Sequence, residues 1–425
     1  MPKLESPALR RYADGAMPVG WWEPSANPER IDCLLCPRRC SLKPGDRGFC
    51  FVRENRDGQM VLSTYGKSTG FCIDPIEKKP LNHFYPGTPV LSFGTAGCNL
   101  GCKFCQNWDI SKSREVARLS ARAEPETIAR AALANNCHSV AFTYNDPVVW
   151  AEYAIDTAKA CRALGIKTVA VTAGYISPVA RRDFFADMDA ANVDLKAFTE
   201  EFYRAITYSH LQPVLETIEF LKRETNVWFE LTNLLIPNVN DSLGELRKMC
   251  SWILQAVGDQ VPVHFTAFHP DFRMLEGGAT DAQTLVTAYD IARSEGLRYV
   301  YVGNVQDVAR QSTFCHQCGH LLIEREGYRL GNYTIDSEGA CKNCSAPIPG
   351  RYAAQPGDWG ARRQPIRIEQ YAQEAHQHDL GAIGKTLPVA GQAAPGQRPI
   401  SSVSAASTPT VIAMEKVTVT STNSA

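Results

Sequence analysis

The sequence predicts an α/β fold built on a parallel sheet, with a cysteine-rich module on either side of it. Two observations carry this. From about residue 90 to 303 short apolar, β-rich runs alternate with helical stretches, and eleven of the fifteen cysteines fall into three tight groups. Strands that alternate with helices argue for βαβ units and a parallel sheet, open or barrel-like. Composition is that of an ordinary folded chain: 425 residues, 44% hydrophobic and 21% charged. Lys+Arg is 44 against Asp+Glu at 45, a formal net charge of -1, which argues against a strongly basic nucleic-acid or membrane-surface protein. No run approaches the roughly 18 apolar residues of a spanning helix. The N-terminus lacks the apolar stretch of a secretory signal. The expected location is the cytoplasm, where thiols stay reduced, so the clustered cysteines read as metal chemistry and not as a disulfide framework.

In chain order, residues 1–30 carry Pro, Gly and charge without periodicity and read as a loosely ordered arm. Residues 31–88 form an N-terminal module that holds Cys33, Cys36, Cys40 and Cys50, followed by a short strand in MVLSTYG. Residues 89–310 carry the strand–helix alternation. The expected strands are VLSFG (90–94), SVAFTY (139–144), KTVAVT (167–172), NVDLK (192–196), VWFELTNLL (227–235), VHFTAF (263–268) and YVYVG (299–303). Helical stretches such as PVLETIEFLKRE and SLGELRKMCSWILQAVG lie between them, with Ser or Asp openings and Gly stops. Residues 311–350 form a second cysteine module, and 351–425 read as a mostly disordered tail rich in Ala, Gln, Ser and Thr. Cys137, Cys161 and Cys250 read as small packed hydrophobes, and Cys72 as a spare thiol.

The central group is Cys98-x3-Cys102-x2-Cys105, in a Gly-containing loop after the first expected strand. Sites of parallel α/β folds gather at strand C-termini. Three bunched thiolates can hold three irons of a four-iron cluster and leave the fourth iron open, which a catalytic site needs and a closed structural site lacks. The C-terminal group pairs Cys315-x2-Cys318 with Cys341-x2-Cys344 across a hairpin-like LLIEREGYRL. Two such knuckles offer four thiolates to one tetrahedral ion, zinc or iron, and structural zinc is the favoured occupant. Cys33-x2-Cys36-x3-Cys40-x9-Cys50 also supplies four ligands, for zinc or for a second four-iron cluster, and the metal stays undecided.

The spacing of Cys98, Cys102 and Cys105, with Phe104 before the last, resembles the motif of the radical S-adenosylmethionine superfamily. The resemblance implies a partial (β/α)6 barrel. It also implies a [4Fe-4S] cluster whose open iron binds S-adenosylmethionine, and an oxidoreductase that cleaves this cosubstrate to methionine and a 5′-deoxyadenosyl radical. Further segments resemble the pyruvate formate-lyase activating enzymes. Tyr144, Asn145 and Asp146 stand where those enzymes carry Gly-Gly-Glu, so the amine-contacting role is carried over with two glycines lost. Asp194 and Lys196, Thr172 and Gly174, Ile236 and His269 take the remaining cosubstrate-side places. Over about residues 30–350 the chain resembles the radical enzyme of the AmmeMemoRadiSam system, through Cys-Pro-x-x-Cys, Asp74-Pro-Ile-Glu77-Lys78-Lys79, T-Y-N-D-P and A-F-H-P. That resemblance implies Memo-like and Ammecr1-like partners and an electron donor such as flavodoxin or ferredoxin. It leaves open whether the substrate is a protein glycine or a small molecule. The competing expectation is a metal-stabilised interaction or RNA-contact module with structural zinc sites and no turnover.

Overall fold

The computed structural model describes residues 11–112 and 121–372. A ten-stranded sheet organises it. Its strands include β1 (Lys67–Pro75), β2 (Pro89–Gly94), β3 (Ser139–Phe142), β4 (Lys167–Thr172), β5 (Ala190–Asp194), β6 (Trp228–Leu235), β7 (Val263–Ala267) and β8 (Val300–Gly303). They lie side by side in that order, and every pair from β2 to β8 is parallel. The helices α1 (Pro125–Ala134), α2 (Ala151–Ala163), α3 (Pro178–Phe185), α4 (Gln212–Glu224), α5 (Leu243–Val257) and α6 (Ala282–Ser294) fill the six crossovers. The result is six strand–helix units and a seventh parallel strand, with the sheet left open: β8 ends one edge, and at the other β1 is followed by the short strand Gln364–Pro365.

Local chemistry explains the elements. The central strands are buried on both faces, as β3 is at all four positions, and so read as continuous apolar runs. Helix α4 buries Val214, Leu215, Ile218 and Leu221, one face at helical spacing, against the core. Helix α5 opens with Ser242 Oγ accepting from Glu245 N at 3.3 Å, and closes at Gly258 with φ of 89°.

Strand β1 is a departure from the sequence reading. It runs antiparallel to β2, and its register slips between Thr69 and Cys72. The slip breaks the two-residue alternation by which a strand is recognised. Gly70, at φ 74°, sits in this slip, and a Cβ there would meet the Tyr144 ring at 2.9 Å. The ends of the fold are also more ordered than expected. From residue 11 the arm is built in: Met17–Pro18 pairs with Gln59–Leu62, and Trp22–Pro24 with Ile31–Cys33. Residues 351–372, placed with the tail by composition, strap the molecule. Gln364–Pro365 adds to β1 at Ile73 and Cys72, and Ile368 is buried. Residues 1–10 and the rest of the expected tail, 373–425, lie outside the described residues.

The C-terminal module holds an antiparallel pair, β9 (Leu321–Glu326) and β10 (Arg329–Tyr333). Alternation along β8 joins it to the barrel. Val300 and Val302 belong to the main core, whereas Tyr299 and Tyr301 pack with Cys315, Leu322 and Cys341. The module thus covers the inner face of the last strand, opposite its helices and on the side where His264, paired with Tyr301, lines the cavity. Among the described residues no helix is long and apolar enough to cross a membrane.

Candidate active site and metal centres

Strand β2 ends at Gly94, and the loop after it carries Cys98, Cys102 and Cys105. This loop is held from the next strand end. Asn145 Nδ2 donates to Gly97 O at 2.6 Å, and Asn145 Oδ1 accepts from Thr95 N at 3.1 Å and Trp150 Nε1 at 3.2 Å. The approach is close enough that a Cβ on Gly94 would meet Thr143 O at 2.5 Å. Asn145 therefore commits its amide to shaping the cysteine loop. Asp146 is likewise engaged: its carboxylate accepts from Thr172 Oγ1 at 2.9 Å, Ala173 N at 3.0 Å and Val148 N at 3.1 Å. Its own backbone N–H faces the Cys98 sulfur. Burial raises the Asp146 pKa, and these donors oppose that shift.

Lys196 follows β5, with its ammonium 2.7 Å from Asp194 Oδ2 and 5.7 Å from the centre of the Phe104 ring. Burial works against its charge, but Asp194 and the neighbouring Cys102 raise its pKa overall. Asn240 Nδ2 holds the Lys196 carbonyl at 2.7 Å, so the 236–241 loop braces this lysine.

These groups share one cavity of about 940 Å³. The three cysteines, Phe104, Tyr144, Asn145, Asp146, Thr172, Asp194 and Lys196 all line it. Three expected residues fall outside its wall. Gly174 turns its carbonyl to Thr217, Ile236 is buried with its N–H on Asn240, and His269 is exposed beside Pro270. A strand-end position does not fix which way a side chain points.

The cavity runs well beyond the expected residues. Its wall continues along inward positions of β6 and β7, at Thr232, Leu234, His264 and Thr266, and reaches Glu77, Lys79, Asn82 and Arg325. The strand residues were legible in principle from their two-residue spacing. Arg325 was not, because it comes from β9 of the cysteine module. It is 1% exposed, donates to Thr313 Oγ1 at 2.7 Å and Asn82 O at 2.6 Å, and lies near the buried Glu77. Lys79 and Lys78 share Asp74, at 2.8 and 2.9 Å. Behind this wall Glu230, fully buried, accepts from His83 N, Asn82 N and His264 Nε2 at 2.7, 2.9 and 2.7 Å.

The profile of the Radical SAM superfamily matches residues 93–253. An uncharacterized protein of Methanocaldococcus jannaschii is 39% identical over 320 residues, which are 75% of this chain and 95% of that one. The chain belongs to the radical S-adenosylmethionine superfamily. The pyruvate formate-lyase-activating enzyme of Clostridium pasteurianum is 24% identical over 195 residues, 43% of this chain and 76% of that enzyme. Among solved structures, a domain of the pyruvate-formate lyase-activating enzyme from Bacteroides vulgatus matches with a TM-score of 0.35 and 16% identity, over 39% of this chain and 99% of that one. A radical SAM methyltransferase from Sphaerobacter thermophilus matches with a TM-score of 0.42 and 14% identity, over 68% and 78% of the two chains.

A radical SAM fold implies a [4Fe-4S] cluster and S-adenosylmethionine, and the residues present fit both. Three thiols stand at one end of the cavity. Burial pushes the Cys102 thiol up to about 12, so it ionises only against a metal, with Lys196 favouring the anion. The carboxylate of Asp194 and the ammonium of Lys196 offer both signs of charge to a zwitterionic methionyl group.

The C-terminal cysteines make a different kind of site. Cys315 and Cys344 have their sulfurs 3.6 Å apart, and Cys318 and Cys341 3.8 Å. All four ligand atoms lie within 4.8 Å of one another. Four sulfurs about 2.3 Å from one tetrahedral ion stand about 3.8 Å apart, so this set suits a single metal ion. Asn343 Nδ2, 3.5 Å from Cys318 Sγ, helps hold that thiol down at about 6.

Proposed function

We propose that this radical SAM enzyme binds S-adenosylmethionine between the cysteine triplet and Lys196, and holds its substrate deeper in the same cavity, towards Lys79 and Arg325. The bound cluster and cosubstrate supply reductive cleavage to methionine and a 5′-deoxyadenosyl radical, which takes a hydrogen atom from the substrate. The chain's own residues do the rest. Lys196 meets the cosubstrate carboxylate, Asp194 its amine, and Asn145 keeps the cysteine loop in register. The barrel wall excludes water from the reacting carbon. The observation that carries this reading is the continuity of one cavity from Cys98, Cys102 and Cys105 to the buried polar groups at Glu77 and Arg325.

Its polar, mixed-charge inner end suits a small polar substrate. A second reading, hydrogen abstraction from a glycine of a partner protein, is favoured by the similarity to the activating enzyme of Clostridium pasteurianum. We assign structural zinc to the C-terminal four cysteines. A flavodoxin or ferredoxin is the proposed electron donor, and Memo-like and Ammecr1-like proteins are proposed partners. The test is anaerobic reconstitution, reduction and addition of S-adenosylmethionine, with EPR and 5′-deoxyadenosine release as readouts. A four-iron signal that changes with the cosubstrate, together with product, supports the proposal. Protein that holds zinc alone and forms no product overturns it.

A further inference from the structure

We propose that Cys33, Cys36, Cys40 and Cys50 hold a second [4Fe-4S] cluster, and that electrons enter the catalytic centre through it. The relay part rests on the proposed function of the triplet. The cluster itself does not.

All four cysteines line one small void, closed by apolar groups such as Leu42, Phe49 and Val149. Among the described residues the C-terminal set is the group whose ligand atoms converge within 4.8 Å. The N-terminal four line a void together without that convergence, and they share this wider arrangement with the triplet. A single tetrahedral ion requires convergence, whereas the ligands of a four-iron cluster stand around a cage of iron and sulfide and so lie further apart.

The surroundings suit an anionic cluster. Backbone N–H groups of Leu35, Arg38 and Val52 face the sulfurs of Cys33, Cys36 and Cys50 respectively. The buried guanidinium of Arg53 acts on Cys33 and Cys50 while its far edge holds Glu152 at 2.8 Å. Hydrogen bonds and charge at the sulfurs are what stabilise such a cluster and set its potential.

The site also abuts the catalytic loop. Asn99, next to Cys98 in the chain, lines the N-terminal void. Arg38 Nε donates to Asn99 O at 2.6 Å, and a Cβ on Gly97 would overlap the Cys50 carbonyl. The segment Gly97–Asn99 is therefore shared packing between the two cysteine sets. One electron passes from a low-potential donor, a reduced flavin or iron–sulfur carrier, to the N-terminal centre. That centre is then reoxidised as the triplet's centre is reduced by one electron, and no proton moves.

The first experiment removes the triplet. The variant with Cys98, Cys102 and Cys105 all changed to Ala is reconstituted anaerobically and analysed for iron, sulfide and zinc, with EPR after reduction. The expected result is about four irons per chain and a reduced cluster signal. Iron-free protein with about two zinc ions per chain overturns the proposal. Iron in this variant together with no cosubstrate cleavage by the reconstituted wild type would sink the proposed function and leave the second cluster standing.

The complementary variant is Cys36→Ser with Cys50→Ser. Its iron should fall from about eight to about four per chain. It should still form deoxyadenosine with dithionite, and lose at least tenfold in rate with a flavodoxin as donor. An unchanged rate with flavodoxin overturns the relay.

Discussion

The central triplet and the C-terminal quartet are both built from closely spaced cysteines, yet the fold gives them opposite exposure to chemistry. The quartet closes its sulfurs on one another, 3.6 and 3.8 Å apart in pairs, with no position left for a reactant. The triplet lies open along a cavity of about 940 Å³ and is surrounded by Asp146, Asp194 and Lys196. A site that completes its own coordination contributes folding energy, whereas a site one ligand short contributes a place to bind. The difference also shows how they cooperate: the closed site fixes the module that delivers Arg325 into the wall of the open one.

Exchanging single ligands breaks this comparison most sharply. Cys102→Ala should reduce deoxyadenosine formation to background while the zinc proposed for the C-terminal quartet and the melting temperature change little. Cys341→Ser should do the reverse to stability, with loss of the zinc and a melting temperature lowered by several degrees. If Cys341→Ser leaves stability untouched, the quartet is not a structural site.

Arg325→Ala tests the link between the two sites. It strips Asn82 O of its donor, removes one of the two partners of Thr313 Oγ1 and leaves Glu77 without its nearby cation, which should cost about 3 kcal/mol in urea unfolding. It should also raise the fraction of cosubstrate cleaved without substrate turnover.

Asn145→Ala should cost about 2 kcal/mol, because it leaves the Gly97 carbonyl and the Trp150 N–H unpaired in the core. Cluster occupancy after reconstitution should fall with it, read as iron per chain.

Acid should weaken the wall behind the cavity. Burial holds the His83 pKa at about 4, below its ordinary 6.5, so the unfolded chain takes up a proton that the fold refuses. The stability present above 6.5 is then lost as pH falls towards 4. Burial raises the Glu230 pKa, but His264 and His83 lower it overall. Its contribution is present above the ordinary carboxylate range and goes as pH falls through it. Urea midpoints should hold from pH 8 to about 6.5 and fall from there to pH 4, and His83→Gln should flatten the upper part of that fall.

The smallest effect is expected from His269→Ala. This exposed strand-end residue lies outside the cavity, and cosubstrate cleavage should stay within about twofold of wild type, with stability within about 0.5 kcal/mol. A large loss would return His269 to the site.

Strands β2 to β8 and most of the crossover helices were legible because burial marks the chain, as short continuous apolar runs in the strands and a period near 3.6 in the helices. Strand β1 was not, since the slip at Gly70 interrupts its period. Helix α3, at eight residues, is too short to establish a stripe. Residues 351–372 read as tail because a strap needs only a few anchors, Pro365 and Ile368 among them, in otherwise polar sequence. At the site, Asp194 and Lys196, expected from the resemblance to a D-L-K segment at a strand end, line the cavity, whereas Gly174, Ile236 and His269, expected on the same ground, do not.

By itself the sequence determined the kinds of chemistry this protein holds: three groups of thiols at fixed spacings, and an alternation that sets one of them at a strand end. Spacing along the chain is local, and it survives whatever the rest of the molecule does. The tertiary structure alone decided which side chains face the cavity, which thiols converge, and that an arginine more than two hundred residues downstream of Cys102 joins the wall. Those depend on side-chain direction and on packing between distant segments, and neither is written in the spacing of any one motif.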